Sequence, residues 1–139
     1  MLNTFEIDPR GSVFYSIDQA IKEYRKYAQN QMSAVISNIT LDQILTLIII
    51  SKDTGVSQKE LAQTLFKDYA SITRIIELLV KKGFLSRSIN RTDRRKFLLK
   101  LTIKGNNAIV KLAPIILENR RYAIESVMGH FGAFQNLSA

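Results

Sequence analysis

The sequence contains no cysteine, a single histidine and no long apolar run. Without cysteine there can be no disulfide, no thiolate metal ligand and no thiol redox sensor, and nothing points to an oxidising compartment. A cytoplasmic location is therefore expected. The longest apolar stretch, Leu47 to Ile50, is far too short to span a bilayer, so no membrane partner is expected. The first ten residues combine acids with Pro9 where a secretory signal would carry a basic patch and an apolar core, so no such signal is expected. His130 has no cluster of Cys, Asp or Glu to complete a metal site or a triad. No enzymatic activity, metal or cofactor is expected, and no internal repeat or low-complexity tract is visible.

What is present is a chain of 139 residues, 46% hydrophobic and 23% charged, the size and balance of one soluble globular domain. Its net charge of +8 is unevenly placed. Residues 57–104 hold 12 Lys and Arg against 4 Asp and Glu, while the rest of the chain carries 8 of each sign. All of the excess positive charge thus lies in one central segment, as expected of a footprint for a polyanion. A solvated basic surface would look the same by charge alone.

Periodicity and capping signals divide the chain into elements. Phe14, Ile17, Ile21, Tyr24, Ala28 and Val35 recur at steps of three and four, a helical seam broken once by Gln31. Thr40 with Gln43 and Ser57 with Glu60 read as two capping boxes, each flanked by a hydrophobic staple, Ile39 with Ile44 and Val56 with Leu61. The apolar run after Thr40 could be a buried strand, but its cap and the following Asp53-Thr54-Gly55 favour a short helix. A third helix runs from Asp68 as N-cap to Lys82, with Gly83 as its stop. Residues 84–88 and 97–101 have strand composition and enclose a polar, basic loop, which reads as a hairpin. A final helix carries Ile109, Leu112, Ile116, Ala123 and Val127, with Pro114 expected to kink or loosen it and Gly129 and Gly132 to weaken its end.

Two short helices, a tight turn and a two-stranded hairpin make a winged helix-turn-helix, whose second helix can enter the major groove of DNA. Ile72, Ile75, Ile76 and Leu79 should pack inward, leaving Tyr69, Ala70, Ser71, Thr73 and Arg74 at the exposed end, with Lys67 just before it. Hydroxyls and a guanidinium there suit phosphates and base edges. They could equally solvate a helix start. In the wing, Arg91, Arg94, Arg95 and Lys96 crowd a loop with nothing apolar to bury and repel one another unless a partner neutralises them. Asp93 is expected to brace a neighbouring guanidinium. Tyr15, Tyr24, Tyr27 and Tyr122 could line a pocket for an aromatic effector, or simply be core.

In this order and spacing, Ser57-Gln58-Lys59-Glu60-Leu61-Ala62, the stretch from Ala70 to Arg87, Asp93-Arg94-Arg95-Lys96 and the stretch from Leu99 to Gly105 resemble the MarR family of winged-helix regulators. The resemblance implies that Ser71, Thr73 and Arg74 contact DNA and that Asp93 positions Arg95 in the minor groove. It also implies a homodimer held by the first and last helices, and a small phenolic or lipophilic effector. The expected fold is mainly α with a small β-hairpin wing: a winged helix-turn-helix over 40–102, flanked by long N- and C-terminal dimerisation helices over 12–38 and 104–132. Too few residues follow Gly132 for the additional closing helix common in that family. The expected function is sequence-specific binding of double-stranded DNA as a homodimeric transcriptional regulator, acting as a repressor. A winged-helix module for protein assembly would share the fold without needing a basic wing.

Overall fold

The computed structural model describes residues 3–93 and 97–137, with side chains described as far as residue 126. After a short 3-10 turn at Pro9–Gly11 come α1 (Val13–Ser33), α2 (Leu41–Lys52), α3 (Gln58–Leu65), α4 (Tyr69–Lys81), β1 (Leu85–Ile89), β2 (Phe97–Leu101) and α5 (Ile103–Leu137). The fold is mostly helical with one two-stranded antiparallel hairpin, as expected.

Helix starts follow their capping residues. The Thr40 box closes in both directions, Gln43 N–H donating to Thr40 Oγ1 at 3.2 Å and Thr40 N–H to Gln43 Oε1 at 3.1 Å. With Ile39, Ile44, Leu47 and Ile50 buried, the run after Thr40 is a core helix and not a strand. Ser57 accepts from Glu60 N–H at 3.1 Å and starts α3. Helix α1 ends at Ser33, short of the expected residue 38, which leaves Val35 outside it and exposed. The cause lies in Gln29, whose amide donates to Ile39 O at 3.0 Å and accepts from Leu41 N–H at 2.8 Å, drawing the loop back so that Ile39 can enter the core.

At the far end of α4, Gly83 takes φ +83°, the left-handed conformation that ends a helix cheaply only for glycine. Its reversal lets Phe84 N–H donate to Leu79 O at 3.0 Å and leads directly into β1, one residue later than expected. The hairpin pairs Leu85 with Leu101, Arg87 with Leu99 and Ile89 with Phe97. Thr102 then joins three elements: its hydroxyl donates to Gly83 O at 2.6 Å and accepts from Gly105 N–H at 3.0 Å, starting α5 beside the end of α4.

Helix α5 runs unbroken through Pro114, Gly129 and Gly132 to Leu137, longer than the expected 104–132. Ala108, Leu112 and Ile116 seat it on the core on either side of Pro114, and burial of this kind overrides a local propensity cost. Helix α1 packs beside it, with Tyr27 stacked on Tyr122 at 4.9 Å between ring centroids.

Candidate nucleic-acid interface

Helix α4 has one dry face and one free end. Ile72, Ile76 and Leu79 are fully buried, while Tyr69, Ala70 and Arg74 are exposed and Ser71 and Thr73 are half-buried. Asp68 caps the helix by accepting from Ser71 N–H at 2.7 Å, and that backbone bond, followed by one from the Ser71 side chain, holds its carboxyl below the ordinary carboxylate value. The cap fixes the first turn, so its side chains project from a rigid platform. Thr73 donates its hydroxyl proton to Tyr69 O at 3.0 Å and keeps its lone pairs for an incoming donor. Arg74 makes no hydrogen bond or ion pair among the described residues, which leaves its five donors for a partner outside the chain.

Not all of the central positive charge is available in this way. Lys82 donates to Asn38 O at 2.6 Å and to Gln43 Oε1 at 3.1 Å. Lys104 donates to Lys82 O at 2.7 Å and lies over the Phe84 ring at 4.5 Å, satisfying the carbonyl end of α4. Arg87 lies over the Phe97 ring at 4.7 Å. Lys67, grouped by sequence with the DNA-facing residues, is drawn the other way: its Nζ stands 3.0 Å from Asp42 Oδ2, while Arg25 bonds the other carboxylate oxygen. Burial pushes the Asp42 carboxyl up, but the hydrogen bonds and charges of Arg25 and Lys67 outweigh burial and hold it below its ordinary value. No sequence pattern flags this contact, because its three members come from α1, α2 and the turn before α4.

In the wing, Arg91 is exposed and Asp93 half-buried. Asn90 Oδ1 accepts from Thr92 N–H at 3.0 Å and from its hydroxyl at 2.7 Å, a local turn that shapes the start of the loop. Arg94, Arg95 and Lys96, three of the expected wing contacts, lie outside the described residues, as do the side chains of Val127 and His130. The tyrosines do not converge on one pocket. Tyr27 and Tyr122 stack on each other, Tyr24 packs against the core, and Tyr15 lines a shallow depression with Ile7, Asp8 and Asp18. Two features escaped the reading of the sequence. Phe66, in the turn before α4, is almost fully exposed, and α5 carries a second apolar stripe of Ile103, Val110, Leu117 and Ile124 opposite its buried face.

Comparison with known proteins agrees with this geometry. Residues 39–97 match the model of the MarR family. The HTH-type transcriptional regulator BilQ of Clostridium symbiosum is 36% identical over 80 residues, which cover 58% of this chain and 56% of that protein. The multiple antibiotic resistance protein MarR of Salmonella typhimurium is 31% identical over 100 residues, covering 72% of this chain and 66% of that one. The chain spans about half the length of the curated relatives it matches. Among solved structures, a mutant MarR from E. coli complexed with operator DNA superposes with a TM-score of 0.75 at 22% identity, covering 95% of both chains. That likeness establishes the winged-helix fold.

Proposed function

The chain belongs to the MarR family, and from that premise we propose that it binds double-stranded DNA sequence-specifically as a homodimer and regulates transcription, acting as a repressor. BilQ and several other relatives it matches are named as transcriptional regulators, not as enzymes. The observation that carries the reading is the free N-terminal end of α4, where Tyr69, Ala70, Ser71, Thr73 and the unpaired Arg74 stand over a buried apolar face. That end enters the major groove, where an Arg can bond guanine and hydroxyls can bond phosphate or base edges. The wing, with Arg91, Asp93, Arg94, Arg95 and Lys96, adds contacts to the backbone or minor groove that depend on charge and groove width. A small aromatic or lipophilic effector, implied by the family resemblance, would bind between the dimerisation helices and the DNA-binding part. The protein acts in the cytoplasm, where it meets its operator. Among the described residues, no helix is long and apolar enough to cross a membrane.

Salt dependence of binding tests the reading. If each subunit sets about four cations against phosphates, a dimer neutralises about eight, and log affinity should fall against log salt with a slope of about −7. Replacing Arg91, Arg94 and Arg95 together by Ala should flatten that slope while circular dichroism stays unchanged. A parent protein that shows no salt-dependent binding to any duplex would leave the assembly-module reading in its place.

A further inference from the structure

The turn between α3 and α4 places an aromatic ring where backbone geometry favours glycine. Phe66 has φ 55° and ψ 42°, and among the described residues it alone takes a positive φ without being glycine. In that region Cβ crowds the following carbonyl. The side chain is 95% exposed, more than any other large apolar side chain described. Neither feature helps the isolated chain to fold, since glycine would hold the turn without crowding and a polar residue would leave no ring in water.

The turn is nevertheless fixed on every side. Lys67 N–H donates to Ala62 O at 2.9 Å, Asp68 caps α4 through Ser71 N–H at 2.7 Å, and Lys67 Nζ is anchored on Asp42 at 3.0 Å. With Lys67 drawn toward α1 and α2, Phe66 is the apolar side chain that the turn offers to solvent, three residues before Tyr69 opens α4. Strained residues held by an over-determined surrounding gather at binding sites. The ring stands at the same end of α4 as Tyr69, Ala70 and Arg74, within the segment that carries the whole excess positive charge.

We infer that Phe66 is a further DNA-contact residue, its ring packing on apolar C–H surface at the edge of the major groove when the end of α4 enters it. Two parts of a duplex present that surface, the deoxyribose carbons and the 5-methyl group of thymine. Apolar burial adds affinity without releasing counterions, so Phe66 contributes to binding but not to its salt dependence. The inference rests on the DNA-binding reading above and names a contact that charge does not mark.

The test compares the parent with Phe66→Gly and Phe66→Leu. The probes are a duplex enriched by the parent from a random-sequence pool, a random duplex of equal length, and the enriched duplex with uracil in place of thymine. Phe66→Gly removes both strain and ring, so its Tm should equal or exceed the parent's by about 2 °C. Its affinity should nevertheless fall about tenfold with the salt slope unchanged, and Phe66→Leu should recover most of the loss. A loss equal on enriched and random duplexes assigns the contact to deoxyribose. A loss confined to the enriched duplex, and reproduced in the parent by uracil, assigns it to the thymine methyl. Parent affinity retained by Phe66→Gly on both duplexes overturns the inference and leaves the ring to another occupant, such as a protein. A parent that binds no duplex fails earlier, at the DNA-binding reading itself.

Discussion

Single residues set how closely the hairpin, α4 and α5 approach. At Gly105 an added Cβ would lie 2.1 Å from the carbonyl oxygen of Phe84 and 3.2 Å from its carbonyl carbon. Both are backbone atoms and cannot swing aside. Gly105→Ala should therefore push the start of α5 away from the hairpin and destabilise the fold by roughly 2 kcal/mol. Gly11→Ala, where nothing lies within 4 Å, provides the control. Urea unfolding of the two variants checks the difference, and equal midpoints would show that the contact relaxes without cost. The sequence marks Gly83 as a helix stop because its neighbours Lys81 and Lys82 belong to the same local pattern. It gives no comparable sign for Gly105, whose constraint comes from Phe84, a residue distant along the chain.

At the scale of elements, the joint around Asp42 ties three of them together. Arg25 reaches it from α1 and Lys67 from the turn that precedes α4. The ion pairs Arg10–Asp8, Lys22–Asp18, Arg121–Glu118 and Arg121–Glu125, by contrast, each stay within one local stretch. Helix starts were legible in the sequence because a cap and its partner lie three residues apart, as at Thr40 and Ser57. The destination of Lys67 was not legible, because a cation beside a recognition helix reads as a DNA contact until the fold brings Asp42 to it. Asp42→Asn should lower stability at neutral pH by about 1 kcal/mol, a modest figure because Arg25 and Lys67 are each about a third exposed and screened. The sign with pH follows from the lowered carboxyl value. The joint stabilises fully above the ordinary value of 3.8 and weakens as pH falls through the lower folded value. The gap between parent and variant in urea unfolding should thus hold steady from about pH 5 to 8 and close below about pH 4. A gap that persists in stronger acid would show that the Asp42 charge is not its source.

For the molecule as a whole, the two faces of α5 decide what one chain can bury by itself. Of the seam expected on the last helix, Ile109, Leu112, Ile116, Ala123 and Val127, the residues Leu112 and Ile116 are not free to meet a second copy, because they are buried in the chain's own core. Ile103, Val110, Leu117 and Ile124 recur every seven residues on the opposite side and remain exposed, as do Phe14, Ile17 and Ile21 on α1. Periodicity identifies an apolar face, but in a helix apolar on two sides it cannot say which one meets the chain's own core. That ambiguity is why the inner seam was read and the outer one missed. Exposed stripes of this length on both long helices fit a second copy of the chain, which is the basis for the proposed homodimer. Leu117 is 64% exposed and lies away from the buried Leu112 and Ile116, so Leu117→Glu should leave the fold of the chain intact while setting a charge in the proposed interface. Sedimentation of the parent should give about twice 15.8 kDa, and the variant should sediment near 15.8 kDa at the same micromolar concentration. In the proposed dimer two linked α4 helices would bind two half-sites together, so the variant should lose far more affinity for an enriched palindromic duplex than for a single half-site. A variant that remains dimeric would remove Leu117 from the interface. A monomeric variant with undiminished affinity for the palindrome would show that the chain reads DNA one subunit at a time.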